Sequence, residues 1–132
     1  MRILIVDDEK LILDIFEEYL EICGHESVTA QNGRQALDFY LEAPDSFDLI
    51  VTDINMPIID GIELAYRIRA VRPQAPIIFV SGRLEEDMWD DISQLQPCRW
   101  LKKPFPLEQL AQMIASYQTP LFEMPLRDVI IA

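Results

Sequence analysis

Short apolar runs at residues 3–6, 49–51 and 77–80 alternate along the chain with longer stretches whose apolar positions recur every three and four residues. Runs of this length bounded by turn residues suit strands buried on both faces, and weaker strand-like pieces stand at 26–30 and 99–101. Between them the spacing predicts helices. Leu11, Ile12, Ile15, Phe16, Tyr19, Leu20 and Cys23 form the first amphipathic pattern, with Gly24 placed to cap its C-terminus. Similar patterns cover 34–42, 62–71, 84–95 and 107–117; Pro44, Pro73 and Pro97 stop the chain, and Pro106 suits a first helical turn. Strict alternation of strand and helix predicts a doubly wound α/β fold, a five-stranded parallel sheet with five helices. The strand at 26–30 is the least apolar and belongs at an edge.

Composition narrows the classes of function. The 132 residues suffice for one domain, and a hydrophobic share of 50% supports a packed core. Lys and Arg total 11 against 23 Asp and Glu, a formal charge of -12, which would repel phosphate backbones and anionic membranes. No direct nucleic-acid or membrane partner is expected. The opening "MRILIVDDE" is too short in apolar residues for a signal peptide or a membrane span, so a cytoplasmic protein is expected. Cys23 and Cys98 match no metal or redox spacing and read as buried free thiols. The one histidine, His25, precedes the edge strand and reads as a surface or turn residue.

In open sheets of this kind ligands bind outside the carboxyl ends of the strands. That rule gathers scattered residues into one place. Strand one ends in Asp7-Asp8, strand three in Asp53, strand four in Ser81-Gly82, and Lys103-Pro104 follows strand five. Clustered carboxylates repel unless a cation neutralises them, and a hard divalent ion that keeps several waters suits such oxygens. Asp8 and Asp53, with Asp7 acting through water, therefore make a candidate magnesium site. With the ion present Asp53 stays ionised and can attack phosphorus, while Lys103 and Ser81 hold the arriving oxygens.

These residues resemble the receiver domains of two-component response regulators over roughly residues 2–117. "ILIVDDE" is similar to that family's acidic pair, "DLIVTDINMPIIDG" to its phospho-acceptor strand and loop, "NGRQAL" to its second helix start, and "IIFVSG" and "LKKPF" to its hydroxyl and lysine segments. The resemblance implies a flavodoxin-like sheet of order 2-1-3-4-5. It implies that Asp53 accepts a phosphoryl group from a sensor histidine kinase or phosphotransfer protein, so that the chain is a signalling switch catalysing its own phosphorylation and dephosphorylation rather than an ordinary enzyme. Magnesium would be organised by Asp7, Asp8, Asp53 and the backbone carbonyl of Asn55. Lys103, preceding a proline that is typically cis, and Ser81 would contact the phosphoryl group. Ser81 would form the switch with Trp100, which stands where tyrosine or phenylalanine is commoner; Asn55 and Arg83 would tune the approach of water. Gly82 also departs from the usual alanine.

The acidic run "LEEDMWDDISQL" reads as a solvated helix face with Leu84, Met88, Ile92 and Leu95 inward; the resemblance implies that this helix faces partners, and a basic partner surface would fit its charge. Residues 1–117 form the receiver-like domain, and 118–132, "QTPLFEMPLRDVIIA", an apolar C-terminal tail. That tail is either docked on protein, as in a homodimer, or a truncated linker to a downstream output domain. Two other classes stay open at this point. One is a receiver-like binding module that switches partners without phosphorylation. The other is a haloacid-dehalogenase-like phosphatase, although that family sets its nucleophile and acid two residues apart on the first strand.

Overall fold

The computed structural model describes residues 1–82 and 85–117, apart from the side chains of 86 and 87. Arg83, Leu84 and the tail at 118–132, each singled out above, lie outside the described residues. Strands β1 (Arg2–Val6), β2 (Glu26–Ala30), β3 (Leu49–Asp53), β4 (Ile77–Ser81) and β5 (Cys98–Lys102) alternate with helices α1 (Lys10–Ile22), α2 (Gly33–Glu42), α3 (Gly61–Val71), α4 (Glu86–Gln94) and α5 (Leu107–Ser116). All strand pairs are parallel and the order is β2-β1-β3-β4-β5. The sheet is the doubly wound one that the alternation predicted, with β2 at an edge.

Alternation within each strand divides the core in two. Ile3, Ile5, Leu49, Val51, Ile78 and Val80 face α1 and α5, where Leu13, Phe16, Leu20, Leu110 and Ile114 cover them. Leu4, Val6, Ile50, Ile77 and Phe79 face α2, α3 and α4. Strands β3 and β4 are buried along their whole length. They carry Asp53 and Ser81 as their last residues, so these two side chains sit on the sheet itself, whereas Asp7, Asp8, Asn55 and Lys103 lie just beyond strand ends.

Two sequence expectations fail on α1. Its buried residues are Leu13, Phe16 and Leu20. Leu11, 71% exposed, and Ile15 lie about half a turn away and face solvent beside Ile22. Phe16 and Leu20 of the expected pattern are buried and Ile12 packs against the same cluster, whereas Leu11 and Ile15 fall on the solvent side and Leu13, outside the pattern, takes a core position. Cys23 is likewise exposed whereas Cys98 is buried, because Cys23 caps the last turn of α1 beyond its final core contact. Gly24 follows at φ 88°, the left-handed residue that ends the helix.

Glycine fixes how closely the loops approach the site at two places. A Cβ on Gly61 would stand 2.2 Å from the Asp53 carbonyl oxygen, and one on Gly33 would stand 2.3 Å from that of Ile59. The first turns of α3 and α2 can therefore close on the loop after β3 only without side chains. Asp60 and Asn32 cap those helices by accepting from the backbone N–H groups of Glu63 and Gln35, each at 2.8 Å. Between them Ile58, 77% exposed, adopts φ 73°, a region costly for a β-branched residue.

Gly61→Ala is expected to cost about 1–3 kcal/mol, because backbone must move to admit the methyl group. Gly82→Ala, with no described atom within 4 Å of its Cβ, should fall within about 0.5 kcal/mol of the parent. Ile58→Asn should gain about 1 kcal/mol by relieving the left-handed backbone. Urea denaturation of the three variants measures each value.

Candidate functional site

Strand β1 hands over to α1 through Asp7 and Asp8, and the two carboxylates part company at once. Asp7 is buried, with its Oδ1 accepting from the Glu9 backbone N–H at 2.9 Å, while Asp8 is exposed. Asp53, at the end of the adjoining β3, is 8% exposed. Carboxylate oxygens of Asp7, Asp8 and Asp53 all lie within 4.8 Å of one another.

The counter-charge comes from the residue just after β5. The Lys103 ammonium donates to Asp7 Oδ2 at 3.0 Å and to Asp53 Oδ2 at 3.4 Å. Its backbone N–H donates to the Ser81 carbonyl at 2.8 Å, tying the chain after β5 to the last residue of β4, and the Lys103–Pro104 bond is cis. The other Asp53 oxygen accepts from the Asn55 backbone N–H at 3.3 Å. The Asn55 amide in turn donates to Ser81 Oγ at 3.5 Å, at the long limit of a hydrogen bond. Asp7, Asp8, Asp53, Asn55, Ser81 and Lys103 thus line one sheet edge. Trp100 lies apart from them, on β5 opposite Phe79 and packed against the core under α4.

Electrostatics inside this pocket are unbalanced. Burial pushes the Asp53 carboxyl above its ordinary value of 3.8; Lys103 opposes that, Asp7 adds to it, and the Asn55 N–H opposes it. For Lys103, burial favours the neutral amine, but the hydrogen bonds and charges of Asp7 and Asp53 outweigh it and hold the ammonium above its usual range. One ammonium thus serves two buried carboxylates and does not fully neutralise Asp53. The residues fit a small oxygen-seeking cation, since three carboxylates converge, one is solvent-facing, and their combined charge exceeds that of Lys103.

Features outside the sequence reading also shape the site. Thr52 Oγ donates to the Asp53 carbonyl at 2.9 Å, and Gly61 N donates to the Ile54 carbonyl at 2.8 Å, which together brace the backbone on either side of the acid. Trp89 of α4 meets the Trp100 ring, an approach that its position in a polar, acidic run did not suggest. Its spacing of three from Ile92 was the available signal.

A family model described as the response regulator receiver domain matches residues 3–115. The chain is 33% identical over 115 residues to the autoinducer 1 sensor kinase/phosphatase LuxN of Vibrio campbellii, covering 87% of this chain and 13% of that protein. It is 35% identical over 115 residues to the transcriptional regulatory protein PrrA of Mycobacterium bovis, covering 86% of this chain and 48% of PrrA. The chain therefore spans from an eighth to about half the length of these relatives. Among solved structures, the response regulator protein TrrA of Thermotoga maritima in complex with Mg(2+)-BeF superposes with a TM-score of 0.76 at 32% identity, covering 88% of this chain and 97% of that one.

Without metal, the ionised Asp53 should weaken the fold. A carboxyl whose folded value is raised binds its proton more tightly when folded, so stability is lost as pH climbs from the unfolded value through the folded one. The excess stability of Asp53→Asn over the parent should be small near pH 4 and grow toward pH 7. Thermal unfolding of both proteins in chelator at several pH values measures that difference.

Proposed function

Because the chain belongs to the response regulator receiver domain family, we propose that it is a signalling switch in which Asp53 accepts a phosphoryl group in a magnesium-dependent reaction. The observation that carries this reading is the Asp7–Lys103–Asp53 bridge beside Asp8, which gives one carboxylate both a fixed ammonium and room for a metal. The donor is the phosphohistidine of a sensor kinase or phosphotransfer protein. A carboxylate oxygen of Asp53 attacks phosphorus, the new O–P bond forms as the N–P bond breaks, and the departing imidazole nitrogen keeps the electron pair and takes up a proton.

Asp8, Asp53, the Asn55 backbone carbonyl and, through water, Asp7 would hold magnesium. The ion, when bound, supplies positive charge to the carboxylates and to the transferring oxygens. Asp53 stays ionised and nucleophilic against the burial that raises it. Lys103 keeps its proton, because both acids favour the ammonium, and it stands within reach of oxygens arriving on Asp53. Ser81 Oγ lies on the same edge and offers a hydroxyl donor. Hydrolysis of the acyl phosphate by water returns Asp53 and resets the switch. TrrA, solved with Mg(2+)-BeF, supports the same pairing of metal and phosphoryl mimic here.

Ser81 and Trp100 carry the change of state to α4 and to a downstream output protein or domain. The family match supports Asp53 on β3 as the nucleophile and tells against the haloacid-dehalogenase-like alternative, whose nucleophile stands on the first strand. Among the described residues no helix is long and apolar enough to cross a membrane. We take the working location as the cytoplasm, and the partners as a kinase and an output protein rather than nucleic acid or a lipid surface; the tail at 118–132 is a docking segment or a linker, and a homodimer through it is one form of the former.

With acetyl phosphate and magnesium, intact-mass spectrometry should show one added phosphoryl group, absent in Asp53→Asn and lost with chelator. Lys103→Ala should slow phosphorylation by about 100-fold, the scale of losing one charged transition-state donor. An unmodified mass for the parent under acid quench, which preserves acyl phosphates, would contradict the proposal.

A further inference from the structure

Between two buried anchors the loop after β3 puts two residues into solvent. Met56 and Ile59 belong to the core cluster that α2, α3 and α4 cover, whereas Pro57 and Ile58 between them are exposed. The chain turns there within three residues: the Ile59 N–H donates to the Pro57 carbonyl at 2.9 Å, and Ile58 at the centre takes φ 73°. That is the rare, strained form of the γ-turn. Both flanks hold it. Pro57 has a fixed φ, and the Ile59 carbonyl is pressed by the first turn of α2, which only glycine at position 33 leaves room for.

Isoleucine suits the centre of such a turn badly. A β-branched side chain disfavours a positive φ, which glycine and asparagine adopt far more readily. Burial does not offset this, since Ile58 is 77% exposed. Strain of this kind persists where a function uses it, and here the packing that would balance the strain lies outside the molecule.

The turn also stands close to Asp53. The Gly61 N–H donates to the Ile54 carbonyl at 2.8 Å, which closes residues 55–60 into a loop, and Gly61 itself lies against the Asp53 carbonyl. Ile58 is three residues from Gly61, so its Cα stays within about 15 Å of the Asp53 backbone. A phosphohistidine that donates to Asp53 has to bring its imidazole up to the carboxylate. A single helix is about 10–12 Å across, so a protein carrying that imidazole covers this rim as it docks. Asp60 is exposed beside the turn, and the formal charge of the chain is -12, so the docking protein is best matched by positive charge around its contact.

We propose that Ile58 is a specificity-determining residue for the phosphodonor protein, seating in a small apolar depression beside the donor's phosphohistidine that basic side chains surround. The proposal rests on the reading of Asp53 as phospho-acceptor. Small phosphodonors carry no such depression and do not meet Ile58. The contact forms on docking and is kept through transfer, so it acts on KM rather than on the chemical step.

A protein donor set against a small one tests this. The donors are acetyl phosphate and, from the genome that encodes this chain, the autophosphorylated sensor-kinase core that phosphorylates the parent fastest. Ile58→Asn keeps the left-handed turn and removes the apolar contact, while Ile58→Leu keeps the contact. With the kinase core, Ile58→Asn should lose about 10- to 100-fold in kcat/KM, through KM, the scale of burying one isoleucine. Ile58→Leu should keep most of the parent's transfer. With acetyl phosphate all three proteins should react at the same rate. Equal transfer from the kinase core to the parent and to Ile58→Asn would overturn the proposal. A parallel loss with acetyl phosphate would overturn it too, by placing the effect in the site rather than at the docking surface, and so would a parent that acetyl phosphate loads but no kinase core does. If acetyl phosphate leaves the parent unmodified, the phospho-acceptor reading fails first and this proposal with it.

Discussion

Two buried carboxylates sharing one ammonium set the terms for this protein. Asp7 and Asp53 close the ends of neighbouring strands, and Lys103 reaches both from the far side of β4. Like charges at this separation cannot simply coexist in a buried pocket. Lys103 favours the charged form of Asp53, but burial and the Asp7 charge leave that acid with a raised affinity for protons. In the proposed function, that residual imbalance is what would make the pocket receptive to a further cation and to an electrophilic phosphoryl group.

The rest of the fold can be understood as support for that arrangement. Parallel strands bring Asp7, Asp53, Ser81 and Lys103 to one edge because every strand points the same way. Two apolar layers keep the register: a one-residue slip of β3 would send Ile50 to the α1/α5 layer and Val51 to the α2/α3/α4 layer, and would turn Asp53 to the other face. Gly33 and Gly61 let two helix starts press on the loop after β3, which keeps the Asn55 N–H against the acid. Strain at Ile58 is tolerated in the same loop, as functional loops often tolerate it.

Strand-helix alternation, the edge position of β2 and the residues at the sheet edge were legible in the sequence, because period and strand ends depend on local pattern. The inward face of α1 was not. Phe16 and Leu20 were in the expected pattern, but apolar residues surround much of this helix, and only the sheet beneath selects Leu13 over Leu11 and Ile15 to join them. Cys23 was misplaced for a different reason: it lies on the spacing of Phe16 and Leu20 but caps the helix beyond its last core contact. The Trp89–Trp100 contact escaped because it joins residues on separate elements, one of them in an acidic run that reads as solvated. The split of roles between Asp7 and Asp8 also needed three dimensions: adjacent in sequence, one is buried against Lys103 and the other faces water.

The claim at the centre of this account is that Asp53 is held by its surroundings short of full neutralisation, and that magnesium completes it. Carboxyl-carbon NMR of Asp53, titrated across pH with and without magnesium, measures this directly. The account requires a midpoint above the ordinary carboxylate value of 3.8 in the metal-free protein, falling when magnesium is added. A midpoint at or below that value without metal, or one that magnesium leaves unchanged, would contradict it.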